Sequence, residues 1–239
     1  MTGIFDMHCH ILPRVDDGSK SIEESLWMLK KEYDDGVRHI ILTPHFRYEM
    51  FETPREKLEE RFEELKALAE KELPSDLSLH LGCEIHTSMD MDECLKAGRR
   101  LTMAGSRYVL AEFSGNDIKL YIRERVEKLL MSGYKPILAH VERYRVIRDD
   151  PAFLAELRNQ GAYVQVNADT ISGRDGLGAR WFAKKLMKDD LIDFVGTDGH
   201  NSKDRSPEMG KCVRQMVKVM GEEYARRVLI DNPADIIRG

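Results

Sequence analysis

An α/β fold on parallel strands is what this sequence predicts, and three observations predict it. Seven short apolar runs rich in Val, Ile and Leu recur along the 239 residues, as strands buried on both faces would. Amphipathic stretches with a helical period lie between them. Nearly every run stops at a His, Glu, Asn or Asp. Strands alternating with helices imply parallel pairing through right-handed crossovers, hence a barrel or a doubly wound sheet. No GxGxxG, GxxxxGK[ST], repeat or low-complexity linker interrupts the pattern, so residues 1–239 read as one domain.

The elements follow in order. The runs are GIFDMH (3–8), VRHIILT (37–43), LSLHLG (77–82), RYVLAEF (107–113), KPILAH (135–140), AYVQVN (162–167) and IDFVGTD (192–198). The first helix, 21–36, opens on a capping box, Ser21 with Glu24, and stops at Gly36. The second, 53–73, places Pro54 in its first turn and carries acid–base pairs at helical spacing. Further helices are expected at 117–132, 151–160, 176–188, 207–220 and 222–229. Gly36, Gly133 and Gly161 each fall just past a helix, where a left-handed residue is wanted.

Composition narrows the class. Hydrophobic residues make up 42% and charged residues 33%, with a net charge of −5. That balance gives no basic face for nucleic acid. No apolar run approaches the roughly 20 residues that span a bilayer. The opening MTGIFDMH has neither the basic segment nor the apolar stretch of a signal peptide. Four scattered cysteines (Cys9, Cys83, Cys94, Cys212) without a CxxC suit a reducing compartment, so a cytoplasmic location is expected.

The run ends carry the chemistry. Run one ends at His8 and His10, run two at His45, run three at Glu84 and run four at Glu112. Run five ends at His140, run six at Asn167 and run seven at Asp198 and His200. In a parallel barrel all C-terminal strand ends share one face, so these residues would meet around one cavity. Singly, each has an ordinary explanation: a turn cap, a solvated carboxylate or a loop residue. Together they want a common one. His39 and His80, inside runs, read as packed or edge histidines, and His86 as loop.

Imidazole and carboxylate donors without cysteine suit Mn2+, Fe2+ or Zn2+ better than a structural zinc site. The candidates are His8, His10, Asp17, His45, Glu84, Glu112, His140 and one or both of Asp198 and His200. That is too many for one ion with open positions; two or three ions bridged by a carboxylate such as Glu84 fit better. Three dications outweigh the carboxylates of Asp17, Glu84, Glu112 and Asp198. Such a site attracts anions and acidifies bound water.

With DMHCH, TPH, the Glu84 strand end, AHVERY and TDGH, nearly the whole chain resembles the PHP (polymerase and histidinol phosphatase) superfamily of metal-dependent phosphoesterases. HCHILPRVDDGSKSIEES, MFETP, AHVERYR, QVN and DNP resemble its branch of manganese-dependent bacterial protein-tyrosine phosphatases, found beside capsular and exopolysaccharide synthesis genes. The resemblance implies a single-domain distorted (β/α)7 barrel with a trinuclear centre. His8, His10, Glu84 and Asp198 would hold one metal. Glu84, Glu112 and His140 would hold a second, and Asp17, His45 and His200 a third. Arg143 and Arg205 match phosphate-binding arginines. Mn2+ is the implied ion, with Fe, Zn or Co as substitutes. The substrate implied is a phosphotyrosine protein, a bacterial tyrosine kinase tail. Arg14 stands where small residues are common in the family, and Val141 where Pro is frequent, which bears on substrate preference.

The mechanism implied is direct hydrolysis: a metal-bridging hydroxide attacks phosphorus in line, with no covalent phospho-enzyme. Tyrosine, with a pKa of about 10, leaves as phenolate more readily than serine leaves as alkoxide, which relaxes the need for a strong acid. A rival lies in CLKAGRR (94–100), which satisfies the C-x5-R pattern of cysteine phosphatases. It follows an acidic stretch, MDMDE, has no strand before it, and reads as a solvated helix. A small-molecule phosphatase acting on histidinol phosphate, or a nucleotide phosphoesterase, would use the same metal set. A metal-stabilised scaffold for a kinase tail is a non-enzymatic reading. The two arginines could also pair with surface acids, Arg143 with Glu142 or Asp149 and Arg205 with acids near Asp204.

Overall fold

The apolar runs fold into a curled parallel sheet sheathed by helices, in a computed structural model that describes residues 1–238. The elements are β1 (Ile4–Cys9), α1 (Ile22–Asp34), β2 (Val37–Leu42), β3 (His45–Phe46), α2 (Arg55–Glu72), β4 (Ser78–Leu81), β5 (Glu84–His86) and α3 (Met91–Lys96). They continue with β6 (Tyr108–Glu112), α4 (Lys119–Met131), β7 (Lys135–Leu138), α5 (Arg145–Asp149), α6 (Pro151–Asn159) and β8 (Tyr163–Asn167). The last are α7 (Ala168–Ser172), α8 (Leu177–Lys188), β9 (Phe194–Gly196), α9 (Met209–Met220), α10 (Glu222–Arg226) and α11 (Asn232–Arg238).

Two of the seven apolar runs, 37–43 and 77–82, are each followed by a further short strand that lies beyond the run. Pro44 has no N–H to give a ladder, so β2 stops before it and β3 resumes after it. Gly82 and Cys83 likewise separate β4 from β5. The result is a sheet in the order β1-β2-β4 and a second in the order β3-β5-β6-β7-β8-β9, every strand pair parallel. The two sheets hand over through backbone bonds from Gly82 N to Leu42 O (2.8 Å) and from Glu84 N to Pro44 O (3.1 Å). At the far edge the chain beyond β9 returns to β1. Asp198 N donates to His8 O and His10 N to Gly199 O, both at 2.8 Å. Gly196 permits this closeness: a Cβ there would lie 2.4 Å from His8 Cβ.

The strands bury apolar side chains on both faces. Val109 and Ala111 of β6 pack outward among the helices, while Tyr108 and Leu110 join Met7, Ile41, Ile137 and Phe194 in a second cluster. Nearly all are fully buried, each worth roughly 1.5–3 kcal/mol of transfer free energy for the larger aliphatic and aromatic side chains. The polar strand ends are therefore carried on a rigid base.

The helices match their expected spans closely, with instructive exceptions. Ser21 caps α1 by accepting from Glu24 N at 3.2 Å, but the returning Glu24 carboxylate takes Lys20 N (2.9 Å) rather than the cap's own N–H. Its other oxygen takes Ser202 N (3.0 Å) and thereby ties down the loop after β9. Pro54 sits at the cap of α2 and not inside its first turn. Gly36, Gly133 and Gly161 all have positive φ. The stretch expected as one helix at 222–229 is α10 running on through a π turn (Arg227–Asp231) into α11. Among the described residues, no helix is long and apolar enough to cross a membrane.

Candidate metal centre

The C-terminal strand ends converge. His8 and His10 come from β1, His45 from the start of β3, Glu84 from the start of β5 and Glu112 from the end of β6. His140 follows β7; Asp198 and His200 follow β9. Asp17 arrives from the turn after β1, where Gly18 lets the chain fold onto His10: a Cβ on Gly18 would meet His10 O at 2.1 Å. His140 (φ 33) and Asp198 (φ 53) both sit in left-handed backbone, a conformation that costs a non-glycine residue about 1 kcal/mol or more and clusters at functional sites.

Glu84 is the hub. Its Oε2 lies 3.2 Å from His8 Nε2, 3.2 Å from His10 Nε2 and 2.9 Å from His45 Nδ1, none of them aligned as a hydrogen bond. Its Oε1 lies 2.9 Å from His140 Nε2. Asp198 Oδ1 is 3.7 Å from His8 Nε2 and 3.4 Å from His10 Nε2. Glu112 Oε1 is 3.6 Å from His140 Nε2. Asp17 Oδ1 is 3.7 Å from His45 Nε2 and 3.6 Å from His200 Nε2. Three overlapping donor groups result, each with atoms within 4.8 Å of one another: His8 with His10 and Asp198, His45 with Glu84 and Glu112, and His10 with Asp17, His45 and His200. His45 and His10 thus each reach beyond the set that the family resemblance gives them.

The imidazoles are oriented for a cation. His8 gives its Nδ1–H to Gln165 Oε1 (3.2 Å), His10 gives its own to Asp16 Oδ2 (2.9 Å), and His200 to the Asp198 carbonyl (2.8 Å). In each ring Nε2 is left facing the cluster, the arrangement that orients an imidazole toward a metal. His200 Nε2 is buried with no hydrogen-bond partner, and His8 and His10 Nε2 stand only 3.3 Å apart. Adjacent ring nitrogens aimed at one point, with carboxylate oxygens around them, fit a divalent ion.

Electrostatics agree. Burial opposes charge on Glu84, yet His8, His45, His10 and His140 hold its pKa well below the carboxylate range. Burial likewise opposes charge on Asp198, and His10, His8 and Arg143 hold it well down. Burial works against protonating His8 and His10 too, but their carboxylate neighbours outweigh it and raise both. His200, pushed down to about 2 by burial and by His10, stays neutral, as a ligand must. Ionised buried carboxylates in this number demand positive charge beside them.

Residues that the sequence left in the background complete the frame. Asp16, not its neighbour Asp17, is the buried one; it also accepts His45 N and Gly18 N, both at 2.8 Å. Gln165 Oε1 accepts His140 N (2.6 Å) while its amide donates to Asn167 Oδ1 (2.9 Å), and Asn167 Nδ2 donates to Asp198 Oδ2 (2.8 Å). Asp6, behind the cluster, accepts His8 N (3.2 Å) and Thr197 N (2.9 Å), which locks β1 to β9. The available signals were polar residues inside apolar runs, Gln165 in AYVQVN and Asp6 in GIFDMH.

Arg143 and Arg205 both turn to this site and not to the surface acids near them. Arg143 Nη2 donates to Asp198 Oδ2 (2.7 Å) and Arg205 Nη2 to Asp198 Oδ1 (3.1 Å). With Asn167, Thr197 and Arg174 they line a cavity of about 220 Å3 beside the cluster. Arg174 braces the loop that carries Arg205, donating to Ser206 O at 3.0 Å. Arg14 bends away, its Nε on Lys20 O (3.0 Å), and Val141 is buried in the core.

The cysteine-phosphatase pattern fails on geometry. Cys94 does sit on a helix, α3, but it is buried rather than solvated, with Sγ on Asp90 Oδ2 (3.4 Å). A thiol donating to a carboxylate is not an attacking anion, and Arg100, the pattern's arginine, stacks over Phe46 at 3.3 Å. His39 packs on Phe5 at 4.3 Å, as an ordinary histidine should. His86 lies in strand β5 instead of a loop, its Nε2 3.0 Å from Ser114 Oγ.

Comparison with known proteins places this geometry. The model of the family described as "Capsular polysaccharide synthesis, CpsB/CapC" matches residues 4–238. The chain is 37% identical over 239 residues to "Tyrosine-protein phosphatase CpsB" of Streptococcus pneumoniae, covering 98% of both chains. It is 31% identical over 222 residues to "Tyrosine-protein phosphatase YwqE" of Bacillus subtilis, covering 92% of this chain and 86% of that one. Among solved structures it superposes with a TM-score of 0.91, at 29% identity and 98% coverage of this chain and 94% of the other, on one from the study of YwqE from Bacillus subtilis and CpsB from Streptococcus pneumoniae, "unique metal-dependent tyrosine phosphatases".

Proposed function

Because the chain belongs to the CpsB/CapC capsular polysaccharide synthesis family, we propose that it is a metal-dependent protein-tyrosine phosphatase that hydrolyses phosphotyrosine on proteins. The observation that carries this is the convergence of four imidazoles (His8, His10, His45 and His140) on Glu84, with Arg143 and Arg205 leaning in from one side through Asp198. The relatives favour phosphotyrosine over histidinol phosphate or a nucleotide.

His8, His10, Glu84 and Asp198, then Glu112 and His140, then Asp17, His45 and His200 would hold the ions, with Mn2+ our choice. Divalent ions held there would supply a bound water of lowered pKa and positive charge for the phosphoryl oxygens. The chain's own residues do the rest. Arg143 and Arg205 hold the phosphoryl group by planar, forked donation that a lysine cannot copy. Asp198, which both arginines touch, gives them up in part when an anion arrives. Gln165 and Asp16 keep His8 and His10 from rotating. Phenolate is a good enough leaving group that no buried acid has to protonate it fully.

Wider readings rest on the same base. We read the sheet as a distorted (β/α)7 barrel, because β2 with β3 and β4 with β5 each count as one interrupted strand and the chain after β9 bonds to β1. We take residues 1–239 as one domain acting in the cytoplasm on the phosphotyrosine tail of a bacterial tyrosine kinase. The direct test compares kcat/KM on a phosphotyrosine peptide with that on histidinol phosphate, for the manganese-loaded protein. We expect the peptide to be preferred by orders of magnitude; equal or reversed preference would overturn the assignment.

A further inference from the structure

One element beside the cluster has no chemical role in the reaction derived so far. Residues 47–51 form a tight hairpin, Arg47 and Phe51 exchanging backbone bonds of 2.9 and 2.8 Å, with Glu49 in left-handed backbone at its tip (φ 61). Phe51 stacks on the His45 imidazole, ring centroids 5.3 Å apart and 11° from parallel, and stays partly exposed. The hairpin is pinned at its side by Tyr48, whose hydroxyl donates to Asp90 (2.7 Å). Its tip nevertheless shows large apolar side chains to solvent, Tyr48 at 42% and Met50 at 59%.

The position matters. The most exposed members of the site are Asp17 and the two arginines, each with a side chain nearly half exposed. From there a continuous line of contacts runs to the hairpin: Arg205 to Asp17 (4.0 Å), Asp17 to His45 (3.7 Å), His45 to Phe51. A phosphoryl group held between the arginines and the cluster must send its ester group out through that mouth.

We propose that the Arg47–Phe51 hairpin is the wall that receives the substrate's aromatic ring, with Phe51 as the specificity-determining residue and Tyr48 and Met50 meeting the flanking peptide. The inference rests on the phosphotyrosine reading and deepens it. A preformed hairpin loses little freedom on binding, which is where a selective contact gains most. Aromatic pairs in offset or edge-on geometry are worth about 0.5–1.5 kcal/mol beyond area burial, so losing one costs roughly 2- to 12-fold in affinity.

The experiment measures binding of two probes, phenylphosphonate and inorganic phosphate, by calorimetry on manganese-loaded wild type, Phe51→Ala and Phe51→Leu, with a metal count for each. We expect Phe51→Ala to weaken phenylphosphonate by roughly 3- to 10-fold while phosphate binds as before, with Phe51→Leu between the two. A Met50→Ala variant, which leaves the Tyr48–Asp90 bond in place, should raise KM for a phosphotyrosine peptide by more than it raises KM for free phosphotyrosine. Equal losses for both probes would mean that Phe51 only supports His45, and no loss for either would mean that the ring lies elsewhere; both overturn the inference. Wild-type protein that fails to hydrolyse phosphotyrosine at all would remove the functional reading and this one with it.

Discussion

Replacing Asp16 by Asn tests how the cluster is held without touching a donor that faces it. Asp16 is buried, accepts the His10 Nδ1–H at 2.9 Å, and also accepts two backbone N–H groups. Burial alone would raise its pKa, but His10 and the backbone donors of His45 and Gly18 overcome this and bring it from 3.8 to about 2. A depression of that size corresponds to about 2 kcal/mol favouring the folded state. The sign is fixed: the contribution is full above the unfolded pKa near 4 and disappears as pH falls through about 2. Asn keeps the shape, loses the charge, and can set an NH2 against the imidazole. In chelator-treated protein, denaturant unfolding at pH 7 should show a loss of about 2 kcal/mol, and the difference from wild type should shrink at low pH. Metal affinity, read by competition with a chelating dye, should fall by roughly 10- to 100-fold, the usual cost of removing an orienting partner of a metal-binding His. Unchanged affinity together with unchanged stability would refute the orienting role.

Other outcomes follow from the same geometry. Arg143→Ala and Arg205→Ala should each retain the wild-type metal count while kcat/KM on a phosphotyrosine peptide falls by roughly 10² to 10³, with Lys restoring only part; wild-type kinetics in both would leave the phosphate to the metals alone. Cys94→Ser should turn over at nearly the wild-type rate, whereas His140→Ala should be inactive. The reverse pattern in a simple activity assay would reinstate the thiol mechanism.

Much of the fold was legible because long amphipathic segments state their period plainly, as α1 with its Ser21 cap and α2 do, and because seven short apolar runs alternate with such segments. What escaped was short. A two-residue strand such as β3 has no period to read, and only its pairing with β5, His45 with Glu84 and Phe46 with Ile85, defines it. The candidate ligands stood out because polar residues that end apolar runs are conspicuous. Their supports did not. Asp16 and Asp17 are neighbours of the same type, and nothing in the sequence says which one turns inward to His10. Gln165 lies inside an apolar run whose two faces cannot be told apart without the strands on either side. Burial of Cys94 is also tertiary, since its short helix packs against the site's own Tyr48 loop. The arginines illustrate the converse: acids lie near both in sequence, yet both select the distant Asp198 for Arg143, or the strand-end Asp198 for Arg205.

Metal dependence bears the weight of the whole account, and one titration addresses it. Protein stripped by EDTA, verified by elemental analysis, would be assayed on a phosphotyrosine peptide while Mn2+, Co2+, Zn2+, Fe2+ and Mg2+ are returned one at a time. With nitrogen and oxygen donors around Glu84 and no sulfur, activity should be absent after stripping and should return best with Mn2+ or Co2+. Full turnover by protein that contains no metal would contradict the account at its root.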